Sequence, residues 1–292
     1  MWWPLVGISG PGEAPPGPTI DTGGFAFSLE ARDVEELNKI VAGGAATYDI
    51  TAISAGAYPH VKDTYRITVC GGSFGEGYGP PVVVREDSPL RDRGDVRGKR
   101  IAVPGVNTSA LLTLTLLMGG AAADGVIDRG FEIQEMLFSD IPDAVAEGRV
   151  DAGLLIHEAQ LTFEGSGLRL LADLGQWWGD EVGGPLPLGL NVVRRDLDRE
   201  HGPGTVERLA GVLSRSVHHA VEHKADSRRY LKLNRGDRSE WDDDALLDKY
   251  LEMYVSPLTL DMGDQGARAI GELLARGHRA GLCPDPGEID VV

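Results

Sequence analysis

Lys99-Arg100-Ile101-Ala102-Val103-Pro104-Gly105-Val106-Asn107-Thr108-Ser109, followed by the apolar run Ala110 to Met118, reads as a buried strand, a tight turn and a helix. A strand that feeds a helix through such a turn is the unit of an α/β sheet whose ligands bind beyond the strand ends. Thr108 and Ser109 fall at the helix start. Unpaired N–H groups and the positive end of the helix dipole gather there, with two hydroxyls beside them, so both residues are candidates for binding an anionic ligand. Capping by Asn107 or Thr108 is the simpler use of the same residues.

The same grammar recurs on either side. Upstream, Asp33 to Gly43 has Val34, Leu37 and Ile40-Val41 at helical spacing. Tyr48 to Ile53 then reads as a strand ending at Ser54, with a further helix beginning at Ala55 to Tyr58. Ser54 is therefore either a plain N-cap or a pocket residue. Tyr65 to Cys70 and Pro81 to Arg85 read as strands, and Gly71 to Gly79, with five glycines, as a hairpin or rim loop. That loop lies between strands and lacks the Gly-Lys-Ser/Thr ending of a phosphate-binding loop.

Downstream, Phe131 to Leu137 reads as a strand and Ile141 to Glu147 as a short helix. Val150 to Ile156 is an apolar strand running straight into His157-Glu158. A histidine just past a buried strand points into the ligand crevice, which makes His157 a candidate base; a packed core or rim residue is the alternative. Trp177-Trp178 would point to opposite sides of an extended chain, leaving one able to flank the crevice. Leu190 to Val193 reads as a strand, and Val206 to Glu222, Asp243 to Val255 and Gly263 to Ala280 as helices. This order predicts two lobes, residues 1–97 plus 195–292 and residues 98–194, joined by two crossings near Gly98 and Arg194.

Composition narrows the function. The chain has 292 residues, 42% apolar and 25% charged, ordinary values for a folded protein near the size at which one core gives way to two. A net charge of -17 without a run of Lys and Arg leaves no phosphate-tracking surface, so nucleic acid is not an expected partner. Met1-Trp2-Trp3-Pro4 has no basic n-region or apolar h-region, and Ala110 to Ala123 is broken by Thr113, Thr115 and Gly119-Gly120. Neither export nor membrane association is expected. Cys70 and Cys283 have no metal-ligand spacing and read as free thiols of a cytoplasmic protein. His219-Ala220-Val221-Glu222-His223 matches the H-x-x-E-H pattern of one zinc peptidase class, but no third ligand is evident nearby, so no metal is expected.

Asp151-Ala152-Gly153-Leu154-Leu155-Ile156-His157-Glu158, with Asp173-Leu174-Gly175-Gln176-Trp177-Trp178 and Pro185-Leu186-Pro187-Leu188-Gly189, resembles the 1,4-dihydroxy-6-naphthoate synthase family of the futalosine route to menaquinone. The resemblance extends from about Asp33 to the C-terminus. It implies an α/β, two-lobed periplasmic-binding-protein-like (type 2) fold with a hinge and central cleft. It also implies a cofactor-independent lyase that cleaves cyclic dehypoxanthinyl futalosine, a small carboxylate-bearing substrate, to dihydroxynaphthoate. In the family the histidine matching His157 is the proposed base, the residues matching Thr108 and Ser109 bind an acidic ligand, and Ser54 falls at a pocket position. One segment departs. Where the family usually has a strand, a Cys-Pro-Asn-Asp-Thr-Phe type motif and a helix, this chain has Ile8-Ser9-Gly10-Pro11-Gly12-Glu13 and a Pro-rich run to Pro18. A non-catalytic small-anion binding protein of the same fold is the competing expectation.

Overall fold

A computed structural model describes residues 1–44, 48–236 and 239–292. After a 3-10 turn at Trp3–Leu5 and an irregular stretch, Asp33 caps helix α1 (Val34–Ala42) by accepting from the Glu35 and Glu36 N–H groups. Strand β1 (Ile50–Ser54), a 3-10 turn (Ala55–His60), β2 (Tyr65–Ile67) and β3 (Ser73–Gly75) follow. Next come β4 (Pro81–Arg85), β5 (Arg100–Val103) and α2 (Ser109–Leu117). A small hairpin pairs β6 (Ala121–Ala123) with β7 (Val126–Asp128). Then β8 (Glu132–Glu135), α3 (Ile141–Ala146), β9 (Ala152–Leu154) and α4 (Ala159–Thr162) lead to β10 (Leu168–Asp173), α5 (Leu174–Val182) and β11 (Leu186–Arg194). The rest is helical: α6 (Leu197–His201), α7 (Thr205–Glu222), α8 (Lys224–Leu233), α9 (Asp244–Tyr254), α10 (Pro257–Leu260) and α11 (Gly263–Arg279).

Two sheets organise the strands. One has the order β10-β4-β9-β5-β8, with β5 parallel to β8 and β9 and β4 antiparallel to β9 and β10. The other is built on the long β11, which pairs antiparallel with β1, β2 and β3. Apolar side chains decide these roles: Ile101, Ala102 and Val103 are fully buried, and so are Val82, Val83 and Val84 to within 1%. Such unbroken apolar runs suit strands covered on both faces. Helix α2 is buried nearly all round from Ser109 to Thr115, as a helix without a polar face must be. It packs against α5, α11 and β11, and its Leu111 and Leu114 join the buried side chains of both sheets into one continuous cluster.

Four expectations from the sequence change. First, the sheets do not divide at 98 and 194. β4 belongs to the five-stranded sheet and β11 to the other, so the chain passes between sheets after Gly75 and again before Leu186. The polar stretch after Asp87 is mostly exposed and contains a 3-10 turn at Arg93–Val96. Second, the Gly-rich loop contains β3, held by Gly189 N–H donating to Ser73 Oγ (3.0 Å). Third, Trp177-Trp178 lies within α5, so the two rings do not point to opposite sides of a strand; Trp178 is fully buried and donates to Pro185 O. Fourth, α8 was not foreseen, because its mean hydropathy is low and none of its residues is fully buried.

Candidate active site

A cavity of about 530 Å3 opens between the two sheets, α2 and the α7 to α9 helices. All four site residues expected from the sequence line it: Ser54, Thr108, Ser109 and His157. Its walls are mainly apolar, with a few polar groups converging on the interior, the usual composition of a small-molecule site.

Ser54 ends β1 and sits 4% exposed. It makes no cap to the turn that follows; its hydroxyl accepts from Asn38 Nδ2 (3.0 Å) and its N–H donates to Asn38 Oδ1 (2.9 Å). Asn38 also donates to Glu35 Oε2 (3.0 Å), and Glu35 Oε1 accepts from the Asn107 side chain (2.9 Å) and N–H (3.2 Å). A buried polar chain thus runs from Ser54 through α1 to the turn before α2. Gly105 makes room for it, since a Cβ there would lie 2.3 Å from the Glu35 side chain.

Thr108 is the N-cap of α2. Its hydroxyl accepts from Leu111 N–H (3.2 Å) and donates to Gly105 O (2.9 Å). Ser109 turns its hydroxyl to β11 instead, donating to Leu188 O (2.6 Å) and accepting from Gly56 N–H (3.0 Å). Both hydroxyls therefore have partners within the chain. The N–H groups of Ser109 and Ala110 have none among the described residues, and both residues line the cavity.

His157 follows β9 with φ 56, one of two non-glycine residues in the left-handed region among those described. Backbone held there is strained and is found where the surroundings over-determine it. The surroundings here include Tyr254, at the end of α9, whose hydroxyl accepts from the His157 N–H (3.1 Å). Phe138 packs edge-on against the imidazole, ring centres 4.6 Å apart. Gln160 completes the arrangement. With its amide nitrogen donating to Gly79 O (3.0 Å), its oxygen accepts from both Tyr254 OH (2.5 Å) and His157 N–H (3.2 Å). Burial, followed by the neighbouring Tyr250, pushes the Tyr254 phenol well above its ordinary pKa, so it stays a neutral donor.

Tyr254 and Gln160 were missed by sequence reasoning. Gln160 sits three residues beyond His157, and that proximity was the available signal; Tyr254 is 97 residues away and gave none. Neither Trp177 nor Trp178 lines the cavity, which corrects the expectation that one flanks it. The departing Ile8 to Pro18 segment does not line the site, but residues ahead of it do: Met1, Trp2 and Trp3 line it, and Trp3 Nε1 donates to Ser227 Oγ on α8 (2.9 Å). His219 and His223 stack on each other at 3.9 Å. Cys70 and Cys283 are free and buried, and burial pushes both thiols up to about 11. Among the described residues no helix is long and apolar enough to cross a membrane.

The sequence profile described as menaquinone biosynthesis matches residues 1–279. Over 265 residues the chain is 36% identical to the 1,4-dihydroxy-6-naphtoate synthase of Streptomyces coelicolor, covering 91% of this chain and 87% of that one. Over 255 residues it is 36% identical to the 1,4-dihydroxy-6-naphtoate synthase of Thermus thermophilus, covering 87% and 85%. Among solved structures it is similar to a protein from Archaeoglobus fulgidus, with 38% identity, a TM-score of 0.71 and 86% and 85% of the two chains covered. The alkanesulfonate-binding protein of Xanthomonas axonopodis shares the fold alone, at 21% identity, a TM-score of 0.57 and 87% and 82% coverage. The architecture is thus α/β, of the two-lobed periplasmic-binding-protein type, around the cleft that holds His157. On the match along its length and the identity to two named synthases, the chain belongs to the menaquinone biosynthesis family and is an enzyme of that biosynthesis.

Proposed function

We propose that the protein is a cofactor-independent lyase that converts cyclic dehypoxanthinyl futalosine to 1,4-dihydroxy-6-naphthoate, with His157 as general base. The observation that carries this reading is the meeting of His157 and the unpaired N–H groups of Ser109 and Ala110 in one cavity. The helix start of α2 receives the substrate carboxylate, Thr108 holds that turn, and Ser54 forms the wall between. A fragmentation that ends in an aromatic ring requires a proton to be taken from carbon or hydroxyl near neutral pH, and imidazole is the side chain suited to it. The apolar walls exclude water from the reacting atoms. The two passages between sheets, near residues 76–80 and 183–185, are hinge points of the two lobes in this reading, and closure over the ligand completes the site. The relatives' place in biosynthesis supports a cytoplasmic enzyme.

Incubating the purified protein with cyclic dehypoxanthinyl futalosine should yield dihydroxynaphthoate, and the yield should survive exhaustive chelation. The second reading, a non-catalytic binder of small anions, is favoured by the Ser9 to Pro18 segment, since no strand precedes β1 among the described residues and no residue of that segment lines the cavity. Tight substrate binding with no product would select it.

A further inference from the structure

A second cavity, of about 250 Å3, borders another face of α2 and shares only Thr108 with the first. Its lining includes Asn107, Thr115, His60, Cys283 and Arg129, the residue after β7. Arg129 is partly buried, and its Nε is enclosed with no acceptor among the described residues. Among the described residues no carboxylate pairs with it, whereas the partly buried Arg66, Arg194, Arg195 and Arg276 each meet one. An enclosed guanidinium N–H without an acceptor is unfavourable, and an anionic ligand that supplies one relieves it.

The rest of the lining points the same way. Although the chain carries 45 Asp and Glu, none lines this cavity, so nothing in the wall repels an anion. Burial keeps the Cys283 thiol protonated, up to about 11. At the rim, burial lowers the His60 pKa, which leaves a neutral imidazole able to donate near pH 7. We propose that this cavity is a second binding site, for one small oxyanion of phosphate, sulfate or carboxylate type, held by the Arg129 guanidinium. It lies outside the cavity that holds His157. Through Thr108, which lines both cavities and caps α2, an anion here braces the helix start that faces the first cavity.

Calorimetric titration of the protein with inorganic phosphate, sulfate and acetate, at ionic strength matched with chloride, tests the proposal and identifies which oxyanion is preferred. At least one should bind saturably, about tenfold or more weaker in Arg129→Gln, with Arg129→Lys between the two because it keeps charge but loses the planar fork. A selenate soak of wild-type crystals should add an anomalous peak beside Arg129 Nε, which keeps the test open if the glutamine variant does not fold. No saturable binding to the wild-type protein, undiminished binding in a folded Arg129→Gln protein, or no selenate beside Arg129 would each overturn the site.

Discussion

His157 combines two properties that a packing residue does not need: a left-handed backbone and a place in the cavity wall. Holding a non-glycine residue there costs on the order of 1 to 3 kcal/mol, which the N–H bond to Tyr254 and the Gln160 bridge offset. Tyr254→Phe should therefore lower turnover by about tenfold, the scale of one hydrogen bond at about 1 to 2 kcal/mol, with KM little changed and the pH profile of kcat keeping its shape. Steady-state kinetics across pH check this. Turnover equal to wild type would mean that Phe138 and the strand end fix the imidazole without the phenol. At this scale the sequence was informative for His157, Thr108, Ser109 and Ser54, all of which line one cavity. It was silent about how they are held, because Tyr254 comes from α9 and Asn38 from α1, and single-chain spacing carries no sign of such meetings.

At the scale of elements, strands and helices with strong periodicity stood close to where the sequence put them: α1 within Asp33 to Gly43, α2 one residue earlier than Ala110, α11 ending at Arg279. Elements fixed by tertiary contact were misread. Trp177-Trp178 follows Gly175, and that glycine is required because a Cβ there would lie 1.8 Å from Tyr78 O. The close approach seats the first turn of α5 on the passage between sheets. Gly105 has a similar role beside Glu35. Placing a methyl group 2.3 Å from the Glu35 side chain overpacks a buried polar chain, so Gly105→Ala should cost about 1 to 3 kcal/mol in a denaturant titration. An unchanged midpoint would show that the Glu35 carboxylate moves aside freely.

The whole molecule is a cleft between two sheets, closed along one side by helices that the sequence placed only in outline. The polar, exposed stretch after Asp87 reads as a linker in the sequence, whereas sheet membership is decided by β4 and β11. The last residues are fastened to β2 by Asp290, which accepts from Arg66 Nε (3.1 Å) and pairs with Arg195, while Ile67 N–H donates to Asp290 O (3.0 Å). Burial alone would raise the Asp290 carboxyl, but the hydrogen bonds from Arg195 and Arg66 outweigh it and hold it below its ordinary range. A depressed folded pKa contributes stability above the unfolded value, about 3.9, and that stability is lost as pH falls through the folded value. The wild-type protein should thus lose more stability than Asp290→Asn between about pH 5 and pH 3. Parallel acid titrations of the two, followed by circular dichroism, should converge on acidification, and curves that stay parallel would remove Asp290 from the acid response.

The central claim is that His157 performs chemistry in this cleft and does not merely line it. Asparagine tolerates the left-handed backbone at position 157, so His157→Asn removes the imidazole with little change in the strand end that carries it. The decisive measurement is turnover of cyclic dehypoxanthinyl futalosine by the wild-type and His157→Asn proteins at saturating substrate, with substrate affinity measured alongside. A fall in kcat of about 100-fold or more at nearly unchanged affinity is the expected result. Near-normal turnover in His157→Asn would contradict it.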